Sequence, residues 1–155
     1  MTPIELQDAL IDEVKHILDG YLYKTPEGKD VPINVFAQNL PMNETDDEND
    51  PVPYIIVRLS DGEDDGDRES FNVVSVVMIV AIWDDTREAQ GHRDAMNIIQ
   101  KIYQRFHRNP DLNGKAAYEG KFRWVIQEDS YYPYSFAACH MRFFTAAIRR
   151  EDEFT

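Results

Sequence analysis

FNVVSVVMIVAIWD, residues 71–84, is the stretch on which the fold turns. Val and Ile crowd it, and their branched side chains suit an extended, packed backbone. Turn-forming and charged residues flank it, so it reads as a long central strand. Just before it, YIIVRLS (54–60) reads as a second strand, and DGEDDGDRES (61–70) as an acidic hairpin connection between the two. Further back, LPMNETDDENDPVP is polar, acidic and closed by two prolines, so 41–53 reads as a long exposed loop. Val31, Ile33 and Val35 alternate with other residues and mark a short strand, which Pro32 assigns to a sheet edge.

The chain opens with a helix over 3–19. Thr2 caps it, Pro3 fits its first position, and Glu5 completes a Thr-x-x-Glu capping box. Leu6, Leu10, Val14, Ile17 and Tyr21 form its apolar stripe, with Ile11 and Leu18 beside them. After the central strand a second helix is predicted over 88–107. Its stripe is Ala95, Ile98, Ile99, Ile102, Tyr103 and Phe106, and Asn109-Pro110 ends it. KFRWVIQED (121–129) is the next strand, YYPYS (131–135) a tight aromatic corner, and FAACHMRFFTAAIRR (136–150) the last strand. The tail 151–155 is expected to fray. The order is α-β-β-β-α-β-β, without an internal repeat.

Two apolar helix stripes need one sheet face to cover. The expected fold class is therefore α+β: a mainly antiparallel sheet with two amphipathic helices packed on one face. The 155 residues suit a single domain, 1–155, with one core. No run of eighteen apolar residues offers a membrane span, and MTPIELQDAL lacks the basic start of a signal peptide. Cytoplasmic synthesis is the expectation.

Net charge is −13. Eleven acidic residues fall between Glu44 and Glu69, against Arg58 and Arg68: Glu44, Asp46, Asp47, Glu48, Asp50, Asp61, Glu63, Asp64, Asp65, Asp67 and Glu69. Phosphate-tracking nucleic-acid binding needs a basic face and is not expected. Asp61, Glu63, Asp65 and Gly66 match the opening of a calcium loop, but Asn72 stands where the bidentate Glu should be, so a solvated loop is the preferred reading. His16, His92, His107 and His140 show no metal-ligand spacing. Cys139 is the only cysteine, so no internal disulfide forms, and its apolar strand makes it a packed residue. No nucleophile elbow, phosphate loop or dinucleotide glycine pattern is present. The reading is a non-enzyme with no cofactor. Tyr131, Tyr132 and Tyr134 suit either a packed corner or an interface anchor, since tyrosine combines area with a hydroxyl.

Four segments together resemble a known family. They are PYIIVRLSDGEDD (53–65), FNVVSVVMIVAIWDD (71–85), GHRDAMNIIQKIYQRF (91–106) and YYPYSFAACHMRFFTAAIRRED (131–152). In order and spacing they look like tail-terminator, or tail-completion, proteins from phage and prophage clusters of Gram-positive bacteria. The resemblance runs over about 53–152; residues 37–52 fall outside it. It implies a sheet with helices on one side and a ring of six subunits that caps the tail tube, stops its growth and meets the neck. The implied partners are other copies of the chain, the tube protein and a neck or connector protein, with no sequence-specific nucleic-acid or membrane partner. The implied location is the host cytoplasm during assembly, then the head-proximal end of the tail.

Candidate ring contacts are the edge Val31, Ile33, Val35 and Phe36 and the corner Tyr131, Tyr132 and Tyr134. The acidic Asp61, Glu63, Asp64, Asp65, Asp67 and Glu69 are expected to face the lumen, where carboxylates repel DNA phosphates. Two alternatives remain: an acidic inhibitor or immunity-type protein that covers a basic partner, and a head-side connector of the same particle. A hydrolase with an unmarked acidic site is the least supported reading.

Overall fold

The structure, a computed structural model, describes residues 1–41, 51–64, 66, 71–129 and 131–146. The first helix, α1, spans Pro3–Ile17, and the Glu5 N–H donates to Thr2 Oγ1 at 3.1 Å as the capping signal requires. It ends at Ile17, two residues earlier than expected, with Leu18 as its cap, and this corrects the stripe. Leu6, Leu10, Val14 and Leu18 are buried, whereas Tyr21 lies past the helix and is exposed. Once the helical turn stops at 18–20, Tyr21 no longer shares its phase.

Strands β1 (Tyr23–Lys24) and β2 (Asp30–Val31) form a small antiparallel ribbon. Strand β3 (Asn34–Ala37) then runs parallel to β4 (Tyr54–Glu63). The single edge strand expected around 31–36 is thus two elements, separated at Pro32, which has no N–H for a ladder. The expected connection at 61–70 is also shorter than predicted. The ladder between β4 and β5 (Phe71–Trp83) continues through Asp61↔Ser75 to Glu63↔Val73. Cross-strand pairing with a Val-rich partner overrides the acidic composition of that end.

Helix α2 spans Gly91–Arg108 and starts later than Glu88. Asp84 holds the loop before it: Oδ1 accepts the Thr86 N–H at 2.9 Å and Oδ2 accepts the Gln90 N–H at 3.1 Å. Two short strands, β6 (Asp111–Leu112) and β7 (Ala116–Tyr118), follow. Between them Asn113 and Gly114 both take positive φ, the Asn-Gly hairpin geometry. Strand β8 (Arg123–Ile126) is shorter than the predicted 121–129 strand, and β9 (Tyr134–Ala146) begins inside the predicted aromatic corner.

The main sheet runs β3-β4-β5-β9-β7-β6, with β8 paired to β9 beside β7. Only β3–β4 is parallel among the described pairings. Both helices lie on one face, α1 over β3 and β4 and α2 over β5 and β9. Their stripes meet Ile55, Val57, Val76, Met78, Val80, Cys139, Met141 and Phe143 in one core. The fold is α+β as expected. On the opposite face a smaller cluster of Val52, Tyr54, Ile56 and Ala81 is closed by Phe36, Leu40, Trp83, Tyr134 and Phe136. Val52 is therefore buried, in contrast to the exposed loop expected over 41–53; residues 42–50 of that loop lie outside the described residues.

Candidate assembly surfaces

The two predicted contact surfaces fare differently. Val31, Ile33 and Val35 are half-buried, and Ile33 and Val35 pack against the helix-side core. Phe36 turns to the other face and sits 6.4 Å from the Tyr54 ring. The edge at β3 thus offers backbone more than apolar side chains. At the corner, Tyr134 is half-buried and meets Trp83 edge-on at 5.1 Å. Tyr131 and Tyr132 stay about half exposed, at 51% and 53%. The Tyr132 hydroxyl lies 2.6 Å from the Asp85 carbonyl oxygen and donates there, tying the corner to the loop before α2. Tyr134 belongs to the fold, and Tyr131 and Tyr132 remain open at the surface.

A third surface was not anticipated. Strand β8 pairs with β9 on one side and carries three exposed apolar side chains, Trp124 (53%), Val125 (37%) and Ile126 (36%). The Gln127 N–H donates to the Phe136 carbonyl at 3.1 Å. In an antiparallel ladder hydrogen-bonded pairs alternate, so the backbone groups of Trp124 and Ile126 point away from β9. Among the described residues no strand pairs with that outer side of β8, and an apolar edge of this kind is a ready template for another chain. In KFRWVIQED the apolar run marks the strand, and the charges on either side are the signal that it is marginal.

The acidic candidates divide as well. Asp61 and Glu63 lie in β4, and Asp64 Oδ1 accepts the Gly66 N–H at 2.9 Å. Asp65, Asp67 and Glu69 lie outside the described residues. Among the described residues no three His, Cys, Asp or Glu side chains are grouped to hold a metal ion. All four histidines are exposed.

Beside Asp61, on the face away from the helices, lies a shallow groove of about 230 Å³. Ser60, Asp61, Ser75 and Val77 line one side, and Lys121, Arg123, His140 and Arg142 the other. The register Arg123↔His140 and Ser75↔Arg142 places these side chains on one face, because directly opposite residues share a face. Arg142 pairs with Glu119 at 3.2 Å. Lys121, Arg123 and Arg142 outnumber Asp61 and the paired Glu119, so the groove is weakly basic in a chain of net charge −13.

No family model matches the chain, and a comparison with curated proteins gives no match either.

Proposed function

We propose that this chain is a structural subunit that closes the head-proximal end of a phage-type tail tube, as a ring of copies. The reading joins the segment resemblance over 53–152 to one observation: the exposed β8 edge of Trp124, Val125 and Ile126. Uncovered aromatic and apolar side chains at an unpaired edge favour contact with another chain. The implied contacts are other copies, the tube protein and a neck protein. The acidic Asp64, Asp65, Asp67 and Glu69 are assigned to the lumen, where their charge would keep DNA from adhering, whereas Asp61 lines the groove.

Tail length is the decisive measurement. Particles made without this protein should carry overlong tails or tails detached from heads, and adding it back should restore both. Normal, head-joined tails in its absence would overturn the reading. An acidic inhibitor of a basic enzyme is the competing reading, favoured by the charge of −13. Such a protein would leave tails unchanged and form a complex of defined mass with a basic partner.

A further inference from the structure

The groove carries more cations than anions in a chain whose net charge is −13. Arg123, His140 and Arg142 converge there across β8 and β9, with Lys121 at the rim. Lys121 and Arg123 are exposed and make no ion pair among the described residues. Arg142 already has Glu119, and Asp61 lines the far side, so Lys121 and Arg123 are the cations left for an anionic partner to meet.

The same chain presents the matching surface. The outer side of α1 carries Asp8 and Asp12 one turn apart, both exposed, with Ile4 exposed beside them, while Glu5 lines a pocket with Lys115 of the β6–β7 hairpin. None of these carboxylates has an ion-pair partner among the described residues. This helix covers β3 and β4 on one face of the sheet, whereas the groove opens on the opposite face near β8. The two patches are different and lie on opposite sides of the subunit. Their union therefore joins copies head to tail, the heterologous contact from which closed rings are built.

We propose that the acidic outer face of α1 in one copy docks on the Lys121–Arg123–His140–Arg142 groove of the next. This contact rests on the assembly reading and supplies its intersubunit partner. Arg123 and Lys121 face Asp8 and Asp12, and Ile4 supplies apolar area at the margin.

Sedimentation of the pure full-length chain in low salt, over a wide concentration range, tests it. The parent should associate, and added sodium chloride should weaken the association as charges are screened. K121E/R123E and D8K/D12K alter exposed positions, so both should keep the parent's circular dichroism and melting. Each should raise the dissociation constant roughly tenfold or more. Mixing the two variants, which pairs reversed charges, should restore association. A parent that stays monomeric at the highest attainable concentration overturns the contact, as do variants that associate like the parent. Loss in K121E/R123E alone, without rescue on mixing, also overturns it and assigns the groove to another partner. The tail-length measurement judges the assembly reading separately.

Discussion

Gln7 Nε2 donates to Gln38 Oε1 at 3.1 Å and to the Val57 carbonyl at 2.9 Å, so a buried amide on α1 locks the end of β3 to β4. Gln38 continues the lock: its Oε1 accepts the Leu59 N–H at 2.9 Å and its Nε2 donates to the Leu59 carbonyl at 3.0 Å. The side chain thus imitates one more residue of strand at the place where the β4–β5 register shifts. Gln38→Ala should cost about 1–3 kcal/mol, because Leu59 loses both partners and Gln7 loses one. Gln7→Leu should cost less than about 1 kcal/mol, since the Gln38 N–H still serves Val57. Urea midpoints at unchanged slope measure the difference. Equal losses would show that the Gln38 contacts to Leu59 carry little.

The helix-side core was legible because its signal is periodic. Ile98, Ile99, Ile102 and Phe106 recur on one face of a helix, and all are buried. Ile99→Asp should cost about 3 kcal/mol or more by burying an unpaired charge. A melting temperature near the parent's would contradict this packing. The groove was not legible, because Ser75, Arg123, His140 and Arg142 come together only through strand register. The β6–β7 hairpin carried its Asn113-Gly114 signal in plain view, but strands of two and three residues give no periodicity to reinforce it. The uncovered β8 edge escaped for another reason: exposure of a strand depends on what fails to pack over it, and no local pattern encodes that.

Gly91 opens α2 against β9. A Cβ there would meet Ser135 Oγ at 2.7 Å and Asp84 Cβ at 3.1 Å. Gly91→Ala should therefore destabilise by about 1–3 kcal/mol through overpacking. Adding Ser135→Ala to that variant should recover part of the loss, since it removes the nearest atom. Absence of any recovery in the double variant would place the strain at Asp84 instead.

Tyr23 is pushed up from 10.0 to about 12, first by burial and then by the charges of Asp94 and Tyr21. The fold therefore prefers the neutral phenol. Its contribution is fully present below pH 10 and is lost as pH rises toward 12. Tyr23→Phe removes that titration, so the variant should resist alkaline unfolding better than the parent while matching its pH dependence at neutral pH. Parallel stability curves for the two proteins through the alkaline range would refute the assignment.

Cys139 is fully buried, and burial pushes its thiol to about 12. As the chain's only cysteine, it reports opening of the core. A thiol reagent should leave the native protein unlabelled and react once the chain unfolds. Ile99→Asp should accelerate labelling about tenfold for each ~1.4 kcal/mol of lost stability, provided reclosing outpaces reaction. Fast labelling of the stable parent would mean that β9 is accessible without global unfolding.

Trp124 tests whether the β8 edge is used. Its side chain is 53% exposed, so Trp124→Lys should leave folding stability within about 0.5 kcal/mol of the parent. A tryptophan buried at the centre of an interface contributes about 2 kcal/mol or more to binding. Its loss should weaken incorporation into particles by more than about tenfold, the equivalent of about 1.4 kcal/mol. The measurement is competition: equal amounts of parent and Trp124→Lys subunit are supplied to assembling tails, and their ratio in purified particles is read by mass spectrometry. Depletion of the variant, with unchanged melting of the free protein, places the edge in an assembled contact. Equal incorporation would mean that β8 stays open to solvent in the particle, and the observation on which the assembly reading rests would lose its force.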